Sequence, residues 1–250
     1  RLAQYIGIDT VAAYAERFDI VDRMPRLLSM ALGAGETTLL RLTTAYAMLV
    51  NGGKRIVPTF LDRIQDRNGK TVLRHDTRPC QGCQIETWEG RKAPALPDHR
   101  AAVADPRSAY QIVSMLQGVV QRGTGRRIRA VGKPLAGKTG TSNDGLDTWF
   151  IGFTPDLAVG VYVGFDKPRT LGRGETGSSV AAPIFRDFMK RALAGRAAIP
   201  FRIPRGIRLV RVNPATGLLA RAGDRRVILE AFKPGTEPNE KRHVLDGGEG

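Results

Sequence analysis

The chain has 250 residues, 42% hydrophobic and 25% charged, with a formal net charge of +15. That balance is ordinary for a globular domain, and the length allows a substantial buried core. The longest apolar run, residues 157–165, is too short to span a bilayer, and no signal peptide is visible.

A basic excess raises nucleic-acid binding as a function class. Arg122, Arg126, Arg127, Arg129 and Lys133 form one cluster, and Arg221, Arg225 and Arg226 another. No helix-turn-helix, RNA-binding aromatic signature or zinc-finger spacing accompanies them. Aromatic residues make up only 6% of the chain, thin for a base-stacking surface. The clusters therefore read as a solvated basic face, and nucleic acid is not assigned as a partner.

In chain order, Val11, Tyr14, Ala15 and Phe18 recur at helical spacing behind an Asp9 or Thr10 cap. A second helix is predicted over about 37–50, with Leu39, Leu42, Tyr46 and Leu49 on one stripe and Gly52-Gly53 ending it. Residues 59–66 and 71–75 flank Asn68-Gly69, a strong hairpin signal. Residues 76–104 lack periodicity and read as a long surface loop. Asp105-Pro106 supplies a cap and a first-turn proline for a helix through Ala109, Ile112, Val113, Leu116, Val119 and Val120. Gly123-Thr124-Gly125 stops it.

Three strand-like runs follow. The first contains Lys138-Thr139-Gly140-Thr141, the second covers residues 148–153, and the third covers 157–165. The turn Thr154-Pro155-Asp156 is short enough to make the last two antiparallel neighbours. Residues 172–179 form a glycine-rich loop without the Lys-Ser or Lys-Thr ending of a phosphate-binding loop. A last helix is predicted over 181–194, with Ile184, Phe185, Phe188, Met189 and Leu193 toward the core and Gly195 at its end. From residue 199 the composition changes. Strands are expected at 207–212 and 227–232 around a turn at 213–217, and 233–250 reads as a disordered tail.

The Lys138-Thr139-Gly140-Thr141 box is the strongest chemical signal. Gly140 lets a substrate backbone lie flat on the strand. Thr139 and Thr141 alternate with their neighbours, so both hydroxyls leave one face of the strand and can grip a carboxylate. Lys138 adds positive potential, and the Thr141 N–H can donate to an oxyanion. Trp149 reads as packing at the core or cleft rim, with a substrate contact as the alternative.

Beyond the box, Arg1-Leu2-Ala3-Gln4-Tyr5-Ile6-Gly7-Ile8, Leu28-Ser29-Met30-Ala31-Leu32-Gly33-Ala34-Gly35-Glu36-Thr37-Thr38, Thr44-Ala45-Tyr46-Ala47-Met48-Leu49-Val50-Asn51-Gly52-Gly53 and Gly118-Val119-Val120-Gln121-Arg122-Gly123-Thr124-Gly125 carry a resemblance. Together they resemble the transpeptidase domain of class A penicillin-binding proteins of the 1a type. The resemblance implies an α/β fold of the β-lactamase and penicillin-binding transpeptidase kind, an antiparallel sheet covered by helices. It implies a serine D,D-transpeptidase that cross-links peptidoglycan stem peptides, is acylated by β-lactams and needs no cofactor. It also implies a bifunctional parent with a glycosyltransferase domain and an N-terminal membrane anchor, working on the periplasmic side of the bacterial inner membrane. Lys138 and Thr141 take catalytic roles, and Lys138, Thr139, Gly140, Thr141 and Trp149 bind substrate. A D,D-carboxypeptidase or β-lactamase-like hydrolase, or a non-catalytic interaction domain, are the alternatives.

The family's Ser-x-x-Lys nucleophile motif is absent. Ser29, Ser108, Ser114, Ser142, Ser178 and Ser179 all lack Lys three positions on, and Ser142-Asn143-Asp144 has the letters of the Ser-x-Asn loop in another order. The chain opens on Arg rather than Met, so it is expected to be the C-terminal part of a longer enzyme. The 250 residues alone are expected not to form an acyl-enzyme. Residues 1–198 are expected to be part of the transpeptidase domain and 199–250 a C-terminal extension.

Cys80 and Cys83 permit several chemistries. A zinc site needs two further ligands, which His75, His99 and His243 are not spaced to give, and a redox motif needs a βαβ setting. No metal is assigned. A local disulfide fits the oxidising compartment that the resemblance implies.

Overall fold

The structure is a computed structural model describing residues 1–239 apart from 81, 84–86, 88, 91 and 93. The described helices are α1 (Leu2–Ile6), α2 (Ile8–Arg17), α3 (Leu39–Val50), α4 (Pro106–Arg122) and α5 (Ala181–Ala192). The strands are β1 (Arg63–Gln65), β2 (Thr71–Arg74), β3 (Ala136–Thr141), β4 (Thr148–Phe153), β5 (Ala158–Val163), β6 (Arg208–Val212) and β7 (Ile228–Phe232).

The central sheet is antiparallel in the order β3-β4-β5, matching the three predicted runs. Its register sets Gly140 opposite Trp149, and Trp149 opposite Tyr162. Side chains alternate across the faces. Phe150, Val159 and Val161 share one face with the Phe185 ring of α5, which lies 4.7 Å from Phe150. The fully buried Ile128, Phe150, Phe185 and Met189 make the centre of that layer. On the opposite face Ala136 and Phe153 pack with Tyr110, Val113 and Leu116 of α4, and Tyr46 of α3 sits edge-on to Phe153. Helices therefore cover both faces. Gly160 is where α3 closes on the sheet, since a Cβ there would collide with Thr43 and Leu39.

Both ends of α4 are as the sequence predicts. The Asp105 side chain accepts from the N–H groups of Arg107 and Ser108, and Pro106 opens the helix. The Asn68-Gly69 turn joins β1 to β2, with Gly69 at φ 80°. Cys80 and Cys83 are joined as a disulfide.

The buried faces of several helices differ in part from the predicted stripes. In α5 the buried side chains are Ala181, Ala182, Phe185 and Met189, whereas Ile184 and Phe188 are 49% and 50% exposed. In α4 Tyr110 is buried and Ile112 faces out. In α3 the buried residues are Thr44, Ala45 and Met48, with Leu39, Leu42, Tyr46 and Leu49 on the half-buried flanks. In α2 the buried residue is Ala12, Tyr14 is exposed, and the helix starts at Ile8 behind Gly7 rather than at an Asp9 or Thr10 cap. The loop expected over 76–104 ends inside the core: Val103 and Ala104 are buried against Phe18, Ala45 and Met48. The basic segment forms a 3₁₀ turn over Arg126–Val131 that exposes its arginines and buries Ile128 completely.

The β6–β7 hairpin docks on α4, and Ala231 of β7 joins Phe201, which precedes the hairpin, in the same apolar cluster as Tyr110 and Phe153. Lys233 Nζ donates to Ser108 Oγ at 2.8 Å, so the chain stays anchored just past β7. The part of the expected tail from residue 240 on, His243 included, lies outside the described residues. Among the described residues no helix is long and apolar enough to cross a membrane.

Candidate active site

Lys138, Thr139, Gly140 and Thr141 form the second half of β3, an edge strand of the sheet. The first half, Ala136 and Gly137, is buried; Lys138 and Thr141 are exposed, and Thr139 and Gly140 are half-buried. The edge therefore changes from sealed to open where the box begins.

The hydrogen-bond pattern decides which backbone groups the open edge offers. Ser142 N–H donates to the Asp147 carbonyl at 3.0 Å, so the pair opposite each other there is hydrogen-bonded. Alternation along an antiparallel ladder then turns the N–H and C=O of Gly140 and Lys138 toward β4, and those of Thr139 and Thr141 outward. The next hairpin agrees, because Thr154 N–H donates to Leu157 C=O at 2.9 Å. Lys138 Nζ folds along this edge and donates to the outward Thr139 carbonyl at 2.8 Å. The N–H groups of Thr139 and Thr141 find no partner among the described residues.

The two threonine side chains leave the face that also carries Phe150 and Thr148, and each is held from behind. Thr139 Oγ1 lies 2.8 Å from Thr124 Oγ1, at the turn that ends α4. Thr141 Oγ1 accepts from the Gly177 N–H at 3.0 Å. Gly177 belongs to the glycine-rich loop, which folds back under the box. A Cβ on Gly177 would lie 2.5 Å from the carbonyl oxygens of Gly140 and Trp149. Ser178 Oγ donates to the Thr124 carbonyl at 2.8 Å and ties this loop to the α4 turn.

On the other face Trp149 stands directly across from Gly140. Its Cβ would be 3.1 Å from any Cβ placed on Gly140, so the strand is flush there. The Trp149 ring packs at 4.8 Å on Tyr162, whose hydroxyl donates to Asp147 Oδ1 at 2.8 Å. That hydrogen bond to a carboxylate, with added burial, raises the Tyr162 pKa above its ordinary value. Ser142 is occupied in the turn after β3, where its Oγ accepts from Asp147 N–H at 2.8 Å.

Of the five residues the sequence points to, Lys138, Thr139, Gly140 and Thr141 thus lie on the β3 edge, and Trp149 stands opposite Gly140 on the central strand β4. Thr124, Gly177 and Ser178 were not picked. Sequence showed only glycine-flanked turns at those positions. A one-sided wall of this kind can bind an extended chain end and its carboxylate, and can offer an N–H to an oxyanion. The serines nearest the box are engaged elsewhere: Ser142 Oγ by Asp147 N–H, Ser178 Oγ by the Thr124 carbonyl, and Ser179 Oγ by the Glu175 carboxylate at 2.7 Å.

The family described as the penicillin binding protein transpeptidase domain matches this chain over residues 1–190. The chain belongs to that family. Penicillin-binding protein 1A of Rickettsia bellii is 47% identical over 237 residues, which covers 93% of this chain and 29% of that protein. The 1A protein of Neisseria gonorrhoeae is 39% identical over 209 residues, or 83% of this chain and 24% of its own length. Among solved structures, penicillin-binding protein 1A of Haemophilus influenzae superposes with a TM-score of 0.77 at 32% identity, covering 97% of this chain and 38% of that one. The sheet with helices on both faces is the penicillin-binding transpeptidase fold. The chain spans less than a third of the length of these curated relatives.

Proposed function

We propose that this chain is one wall of a peptidoglycan D,D-transpeptidase site, part of a bifunctional wall polymerase. The open second half of β3 carries this reading: outward N–H groups at Thr139 and Thr141, two hydroxyls, and Lys138 along the edge. A stem peptide ending in D-alanyl-D-alanine lies along this edge as an added strand, with Gly140 giving it clearance. The hydroxyls of Thr139 and Thr141 donate to its terminal carboxylate, Lys138 supplies positive potential, and Trp149 borders the bound peptide. The Thr141 N–H donates to the carbonyl oxygen as it becomes an oxyanion.

The nucleophilic serine and its base come from polypeptide outside these 250 residues. Serine Oγ bonds to the penultimate D-alanine carbonyl carbon, the C–N bond breaks, and the serine proton ends on the departing D-alanine nitrogen. An amine of a second stem peptide then attacks the ester, loses a proton and restores the serine. β-Lactams enter by the same route, their carboxylate standing in for that of D-alanine. In support, a relative of similar fold, PonA1 of Mycobacterium tuberculosis, has been solved in complex with penicillin V. Residues 1–198 belong to the transpeptidase unit and 199–250 extend it. The parent is anchored by an N-terminal membrane helix and acts on the periplasmic side of the inner membrane.

The test is acylation of the full-length protein by a fluorescent penicillin. Thr139→Val removes a hydrogen bond to a charged group, about 1.5–3 kcal/mol, and slows acylation roughly 10- to 100-fold. The 250-residue chain alone stays unlabelled. Unchanged acylation of the variant removes the carboxylate role from Thr139, and stable labelling of the short chain removes the external serine.

A further inference from the structure

The hydroxyls of Thr139 and Thr141 can serve a carboxylate only if their protons point outward, and two donors behind β3 bear on that direction. A threonine hydroxyl has one proton and two acceptor lone pairs, and a carboxylate only accepts. At Thr141 the polarity of the contact is fixed, because a backbone N–H can only donate: Gly177 N–H fills one acceptor site of Thr141 Oγ1 at 3.0 Å and leaves the Thr141 proton free to donate elsewhere. At Thr139 the contact is hydroxyl to hydroxyl, 2.8 Å from Thr124 Oγ1, and either oxygen can donate. If Thr139 gives its proton to a ligand, Thr124 must be the donor in this pair.

We propose that Thr124 is a positioning residue for ligand binding at the box: its hydroxyl donates to Thr139 Oγ1 and turns the Thr139 proton toward the carboxylate. Ser178 completes the arrangement by donating its hydroxyl to the Thr124 carbonyl at 2.8 Å. Ser178 follows Gly177 directly, so the loop that orients Thr141 also fixes the turn that orients Thr139. Each hydroxyl thereby meets a ligand with one acceptor site filled and its proton free, a donor pair set before binding. The inference rests on the carboxylate reading above and adds the residue that directs one of its two donors.

The experiment uses the full-length protein and two probes, a fluorescent penicillin with a free carboxylate and its methyl ester. Thr124→Val, isosteric but without the hydroxyl, is expected to slow acylation by the free acid roughly 3- to 10-fold, the scale of one ordinary hydrogen bond. The ester rate is expected to stay unchanged, and Thr124→Ser to restore the free-acid rate. A purely structural role of Thr124 lowers both rates together and overturns the proposal, as does full free-acid activity in Thr124→Val or failure of the serine to rescue. Thr139→Val run alongside separates the two levels. If Thr139→Val slows only the free acid while Thr124→Val is silent, the positioning role alone falls; if Thr139→Val does not discriminate the probes, the carboxylate reading falls and takes the positioning role with it.

Discussion

At Gly177 the glycine-rich loop passes so close beneath β3 that a methyl group has nowhere to go. The atoms it would strike are backbone carbonyl oxygens of Gly140 and Trp149, which cannot swing aside like a side-chain tip. Gly177→Ala is therefore expected to push the loop off the strand, at a cost of about 1–3 kcal/mol, and to break the donor bond to Thr141. Penicillin acylation of the full-length variant should fall by more than tenfold. Gly174 lies three residues earlier at φ 80° with nothing within 4 Å of an added Cβ. Gly174→Ala is expected to lose about 1 kcal/mol through its backbone alone. Equal acylation losses in the two variants would mean that close approach at Gly177 is not what matters. The sequence marked both glycines alike, since a run of glycines does not say which one touches another strand.

At the scale of the element, α4 carries the box-supporting turn at one end and its cap at the other. Asp105 is held well below the ordinary carboxylate range, first by its hydrogen bonds from Arg107 and then by the N–H groups it caps. A carboxylate with a depressed folded pKa contributes stability that is complete above its unfolded value, about pH 4, and is lost as pH falls through the folded one. The difference in melting temperature between the wild type and Asp105→Asn should therefore hold steady from pH 7 to 5 and shrink below pH 4. A difference that stays constant down to pH 2.5 would show that the charge of Asp105 plays no part.

The ends of α4 were legible because capping and proline chemistry are local. The buried face was legible only in part. Periodicity groups Ala109, Ile112, Val113, Leu116, Val119 and Val120 into one stripe, yet Ile112 within it is exposed and Tyr110 beside it is buried. In α5 the same ambiguity put Ile184 and Phe188 on the wrong side of the boundary. A helical repeat finds which residues align, and the neighbouring sheet decides how wide the covered stripe is.

For the molecule as a whole, the β6–β7 hairpin bears on the stability of α4. Glu230 pairs with Arg122, Gln111 donates to the Ala231 carbonyl at 2.9 Å, and the Phe201 ring meets Phe153 edge-on at 5.7 Å. Residues 199–239 thus share a core with β3 and β4. Phe201→Ala should lower the stability of the transpeptidase unit by about 3–5 kcal/mol in a denaturant titration followed at Trp149. If the extension were an independent unit, the transition reported by Trp149 would not move.

Sequence alone determined the three central strands, the hairpin at Asn68-Gly69, the caps of α4 and the Lys138-Thr139-Gly140-Thr141 box, because each is written in neighbouring residues. Tertiary structure decided what stands behind the box. Thr124 and Thr139 are fifteen positions apart, Thr141 and Gly177 thirty-six, and Thr124 and Ser178 fifty-four. No local rule of spacing or propensity joins such positions. The sheet does so by setting α4 and the glycine-rich loop against the same strand.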